Sequence, residues 1–238
     1  KNWTAESFIN TNDRGVRFTR TSPDGEEGYP GNVRLGVTFT LTNDNALRIE
    51  YDAITDKSTP INLTNHAYFN LAGSGNGTIL DHQIMINATQ QTATDETLIP
   101  TGKLAPVAGT PIDFTKYAKI GARIKEIKAT PVGYDHNYVL EASSKDLKAP
   151  AAVVREPNSG RVMEVYTTEP GLQFYTGNFL DGTIKGKKGA TYNQYNGFCL
   201  ESQHYPDSVN KKEFPSTILK PGEKFSSTTT YKFMIVVE

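Results

Sequence analysis

The chain has 238 residues, a formal net charge of −1, thirteen Pro, twenty Gly and one Cys. That length can bury a substantial core, and the near-neutral charge removes any electrostatic case for nucleic acid or an anionic membrane as partner. Cys199 alone cannot form an internal disulfide, and no apolar run approaches the ~20 residues that span a bilayer.

The chain opens at Lys1 with no signal-peptide apolar region, so its start reads as processed or truncated. Asn-X-Thr sequons fall at Asn2, Asn62, Asn76 and Asn87. A glycan on Asn62 would disrupt the face described below, so the sequence favours the cytoplasm over secretion.

Asn10 to Gly15 reads as a hairpin turn, and Ser22 to Gly31 as a turn-rich loop that either connects surface strands or lines a site. Leu47, Ile49, Tyr51 and Ala53 alternate with Arg48, Glu50 and Asp52, which predicts a strand with one wet face paired to 33–41. In Ile61 to Leu71 the period-two pattern recurs. Ile61, Leu63, Ala67, Phe69 and Leu71 form one face; Asn62, Thr64, His66, Tyr68 and Asn70 form the other. This predicts a half-buried strand. Its polar face carries hydroxyl, amide and imidazole groups and no long charged chain, which suits a polyhydroxylated ligand better than plain solvation.

Tyr117, Ile120, Ile124 and Ile127 recur at helical spacing, interrupted by Gly121, which predicts one short helix. Strands are predicted at 134–141, 151–155, 161–168, 171–176, 197–203 and 225–236. Many strands, closely spaced turns and at most short helices give an all-β fold class, a sandwich or barrel, and a single domain over 1–238.

None of the four histidines, His66, His82, His136 and His204, pairs with another His or with Cys199 at a metal-ligand spacing, so no metal ligand is assigned. No phosphate-cradling glycine loop or nucleophile elbow occurs, and no cofactor is implied. His66 is the first site candidate, because imidazole exchanges a proton near neutrality. Glu201 follows an apolar run and shares a face with Cys199 and Gln203. Partial desolvation there would make it a better base, whereas a strand-end Glu facing solvent would do nothing. Asp135 and His136 point to opposite faces of their strand, so both do not reach one ligand. Gln173 sits in an apolar-aromatic segment, either as a satisfied core amide or as a ligand contact.

Asn62 to Leu71 resembles the central motif of the aldose 1-epimerases, the galactose mutarotases. Ser22 to Gly31, Asp95 to Gly102, Tyr134 to Asn137, Pro170 to Phe179, Gly197 to Gln203 and Leu219 to Glu223 resemble further motifs of that family, and together they cover essentially the whole chain. The resemblance implies a large antiparallel β-sandwich holding the sugar on a concave polar face. It also implies His66 as acid, Glu201 as base, and Asp135 and Gln173 on sugar hydroxyls. The expected reaction is interconversion of the α and β anomers of free galactose or glucose. A glycoside hydrolase using Asp135 and Glu201, and a non-catalytic carbohydrate-binding sandwich, are the competing readings. The family's Asn-Arg pair and His-Gly-Gly loop are absent from this sequence. A separate N-terminal polypeptide is therefore an expected partner, and residues 1–238 alone are expected to turn over weakly.

Overall fold

The computed structural model describes residues 1–186 and 189–236. Of the predicted 1–238 domain, Lys187, Lys188, Val237 and Glu238 lie outside the described residues. Two antiparallel sheets dominate. The larger has nine strands, in the spatial order Thr4–Ile9, Asp13–Ser22, Val33–Thr42, Ala46–Thr55, Phe225–Ile235, Arg161–Thr167, Ala152–Glu156, Gln83–Ile86 and Ala118–Lys119. The smaller has five: Cys199–Gln203, Gly171–Tyr175, Asp135–Val139, Gln90–Thr94 and Pro100–Pro106.

Alternation in the sequence becomes the sandwich. Ile49 and Tyr51 from the larger sheet meet Tyr138, Leu172, Phe174 and Leu200 from the smaller one in a single apolar cluster. Each such side chain contributes roughly 1.5–3 kcal/mol on full burial. The same alternation that turns Leu172, Phe174 and Leu200 inward turns Gln173, Cys199 and Glu201 to the opposite face of the smaller sheet. The core therefore decides which side chains are left to face a ligand. No helix of the described residues is long and apolar enough to cross a membrane.

Two predicted elements differ. The helix expected around 117–128 is instead two single 3₁₀ turns, Ile120–Ala122 and Ile124–Glu126. Ile120 and Ile124 are buried as the spacing requires, but the Gly121 N–H donates to the Leu80 carbonyl at 2.8 Å and no longer helix develops. The strand expected over 61–71 joins neither large sheet. Its one ladder contact is the bridge between Phe69 and Phe198. Inward and outward faces still alternate, with Ile61 and Leu71 buried and Asn62, His66 and Tyr68 exposed. Asn side chains displace the ladder: Asn65 Oδ1 accepts from the Ala67 N–H at 3.2 Å, and Asn62 bonds to the His204 backbone. The Ser22–Gly31 loop is held by Glu26 to Arg20 and Asp24 to Lys57; its Ser22 and Tyr29 line a cavity with Asn62, and none of its residues lines the cleft described below.

Candidate active site

The floor of the site is three adjacent strands in register. Gln173 lies opposite Glu201 on one side and opposite Asn137 on the other, and Asp135 lies opposite Tyr175. Gln173 Nε2 donates to Asp135 Oδ1 at 2.7 Å. Gln173 Oε1 is buried with no partner among the described residues. Gln173 is thus tied down at its amide nitrogen, while its oxygen is an unsatisfied buried acceptor.

The 61–71 segment forms a wall above this floor, and clamps on either side of Glu201 hold it. On one side Asn62 Nδ2 donates to the His204 carbonyl at 2.9 Å while the His204 N–H donates to Asn62 Oδ1 at 3.0 Å. On the other, Phe69 and Phe198 exchange both backbone hydrogen bonds, at 2.8 and 2.9 Å. Gly197 permits that approach, because a Cβ there would stand 3.2 Å from the Tyr68 Cβ. The clamps bracket His66 and bring its Nε2 to 3.4 Å from Glu201 Oε1.

Glu201 sits mid-strand with its side chain only 10% exposed, so it is not the solvated strand-end group that the sequence also allowed. Burial pushes its carboxyl up to about 7; the nearby imidazole opposes that shift and the Asp135 carboxylate adds to it. Burial likewise raises Asp135, against the Gln173 hydrogen bond. Tyr68 stacks on the His66 ring at 5.2 Å, and Tyr175 meets both rings edge-on at 6.1 and 6.2 Å. The resulting cleft, about 280 Å³, is lined by His66, Tyr68, Asp135, Gln173, Tyr175, Phe179, Glu201, Gln203 and Pro206.

The other histidines do structural work. His82 is buried and accepts the Leu71 N–H at Nε2, 3.0 Å; burial lowers its pKa, in keeping with the unprotonated form that can accept. His136 Nδ1 accepts the Asp135 N–H at 3.0 Å, and burial lowers it to about 4. His204 Nδ1 lies 2.6 Å from the buried Glu169 carboxylate. Only His66 among them lines the cleft. Tyr68 falls on the polar face that the 61–71 alternation marked out; Tyr175 and Phe179 were not assigned from sequence, although the parity of Tyr175 with Gln173 along their strand places both on one face.

A family model described as aldose 1-epimerase matches residues 1–232. The chain belongs to the aldose 1-epimerase family. It is 50% identical over 233 residues to galactose mutarotase of Mus musculus, covering 98% of this chain and 66% of that protein. It is 41% identical to aldose 1-epimerase of Escherichia coli K12, covering 95% of this chain and 66% of that protein. Among solved structures, a galactose 1-epimerase from Lactobacillus acidophilus superposes with a TM-score of 0.85 at 31% identity, covering 99% of this chain and 67% of that one. A GalM/aldose epimerase homologue from C. elegans gives 0.88 at 27% identity, covering 100% and 70%. The chain therefore spans 66% of the length of these curated epimerase-family relatives.

Proposed function

We propose that this site interconverts the α and β anomers of a free hexose, galactose or glucose, with Glu201 as base and His66 as acid. The observation that carries this reading is the 3.4 Å separation of His66 Nε2 and Glu201 Oε1 at the edge of an open cleft. The reaction acts on two oxygens borne by one carbon, so its acid and base must lie within a few ångströms of each other. The Glu201 carboxylate takes the proton of the anomeric hydroxyl while the His66 imidazolium gives one to the ring oxygen. The C1–O5 bond breaks and a C1 carbonyl forms. Rotation about C1–C2 presents the other carbonyl face. His66 then recovers its proton from the O5 hydroxyl, O5 attacks C1, and Glu201 returns its proton to the former carbonyl oxygen. Proton count and redox state close over the cycle, so the steps draw on no further reagent.

A carboxyl raised to about 7 has the proton affinity this shuttle needs near neutral pH. Asp135 and Gln173, both lining the cleft, supply hydrogen-bonding groups for sugar hydroxyls, and the rings of Tyr68 and Tyr175 supply apolar surface for its C–H faces. No Lys or Arg lines the cleft among the described residues, which favours a free sugar over its phosphate. The hydrolase alternative asks Asp135 to serve as a second carboxylate facing the bond, whereas here it is held by Gln173. Part of the same proposal is a polypeptide partner supplying the Asn-Arg pair and His-Gly-Gly loop.

Polarimetry on freshly dissolved α-galactose and α-glucose tests the reading. Accelerated mutarotation is expected, more so once the remaining third of a relative is added in trans. Glu201→Gln and His66→Gln are each expected to lower the rate by ~10²–10⁴-fold while sugar still binds. Rates equal to the buffer blank under both conditions would refute it, and release of sugar from a nitrophenyl galactoside would favour the hydrolase.

A further inference from the structure

Behind the cleft lining lies a buried nucleophilic group that proton transfer leaves unused. Cys199 lies two residues before Glu201 on one strand, so both side chains emerge on the same face. It is a free, buried thiol. One donor atom from each of His66, Cys199 and Glu201 lies within 4.8 Å of the other two. Sequence spacing concealed this set, because the imidazole arrives from the 61–71 segment and meets the other two only through the Asn62 and Phe69 clamps.

Imidazole, thiolate and carboxylate are the ligand types zinc takes, at bond lengths of about 2.0–2.3 Å, which place tetrahedral donors roughly 3.3–3.7 Å apart. His66 Nε2 and Glu201 Oε1 already stand 3.4 Å apart. The remaining closure is about 1 Å, and the His66 side chain, 49% exposed, is free to supply it. Two carboxylates, Glu201 and Asp135, line the cleft with no Lys or Arg among the described residues, so its field favours a cation.

We propose that His66, Cys199 and Glu201 form a binding site for a soft divalent cation of the zinc class, which inhibits the protein reversibly by occupying its acid and base together. Binding forms Sγ–metal, Nε2–metal and carboxylate–metal bonds and releases the thiol proton, with any proton on His66 or Glu201, to solvent. The fourth coordination position faces the cleft and excludes sugar. The inhibitory part rests on the epimerase reading; the binding part does not.

Co²⁺ and Zn²⁺ are the probes. Because Cys199 is the only cysteine of the 238 residues, any thiolate-to-cobalt charge-transfer band in the near ultraviolet must come from it. Co²⁺ is expected to produce that band, Zn²⁺ to abolish it stoichiometrically, and galactose to diminish it. His66→Gln and Glu201→Gln are each expected to weaken Zn²⁺ binding at least tenfold, and Cys199→Ser to remove the band. His66→Gln alters an exposed side chain, so it keeps the test decisive if the buried Cys199→Ser fails to fold. In polarimetry, Zn²⁺ is expected to raise the apparent KM and leave kcat unchanged. No band from natively folded protein overturns the site. So does a band that survives both His66→Gln and Glu201→Gln, since the thiol then binds alone. A band without mutarotation, either alone or with the remaining third of a relative in trans, supports the site and refutes the epimerase reading; mutarotation without a band does the reverse.

Discussion

Replacing Glu201 with Gln should stabilise the protein at alkaline pH while abolishing turnover. The carboxyl titrates near 7 in the fold, against an ordinary 4.5, chiefly because burial penalises its charged form. A raised carboxyl pKa means the native state holds a proton that the unfolded chain has already lost. Its favourable contribution is therefore fully present below pH 4.5 and disappears as pH climbs through about 7. At 1.36 kcal/mol per pH unit, the displacement sets a ceiling of roughly 3 kcal/mol. Solvent screening at the cleft mouth reduces that to about 2 kcal/mol. Gln keeps the shape without the ionisation. Urea unfolding at pH 4.5 and pH 8 should find the variant and parent alike at the lower pH, and the variant about 2 kcal/mol more stable at the higher. A variant equal to or weaker than the parent at pH 8, with the same difference at pH 4.5, would refute the claim that Glu201 is held in a desolvated, charge-penalising position.

The acid limb of the kcat/KM profile should rise about tenfold per pH unit up to pH ~7, because the base must be ionised to act, and the profile should fall again at higher pH where the His66 imidazolium is lost, read by polarimetry between pH 5 and 9. Asn62→Ala removes both bonds to the His204 backbone and should cost about 1–2 kcal/mol in urea unfolding. It should also lower kcat ~10–100-fold with little change in the pH profile, since it displaces His66 without altering the base. Gln173→Ala should raise KM roughly 3–10-fold for galactose, the worth of one neutral hydrogen bond, with a smaller effect on kcat.

The legible part of the fold was what parity dictates. A strand sends Leu172 and Phe174 one way and Gln173 the other whatever its neighbours are, so the cleft-facing partners of Glu201 could be read along single strands. The same alternation in 61–71 matched the exposure of Asn62, His66 and Tyr68 but not Thr64, whose hydroxyl is buried, and it carries no information about hydrogen-bonding partners. Whether a ladder forms depends on Phe198 and His204, more than a hundred residues away in the sequence, and on two asparagines whose amides outcompete it. Gly121 shows the complementary failure: the apolar spacing around it was right for burial of Ile120 and Ile124, while the Gly121 N–H is spent on the Leu80 carbonyl and not on a helical partner. The thiol beside the acid and base was illegible for the same reason as the ladder, since ligand spacing in sequence registers only local chelates.

The division of labour between the two walls follows from what each proton carrier must do. Glu201 needs a fixed, partly dry position, because its raised proton affinity comes from burial; a central place on a strand paired to Gly171–Tyr175 provides it. His66 must serve the ring oxygen both before and after the sugar turns about C1–C2, so an imidazole with half its surface free, on a segment anchored at its ends but unladdered between them, suits the task better than a rigid strand would. Extending the ladder through 62–68 would bury backbone groups at the cost of that freedom. A pair of substitutions separates the two demands: Asn65→Val, which removes the side-chain bond to the Ala67 N–H, should perturb kcat. Ile86→Val, a core change remote from the cleft in the larger sheet, should cost about 1 kcal/mol of stability and leave kcat unchanged. Equal kinetic effects from the two would mean that the local geometry of the 61–71 segment does not govern the acid.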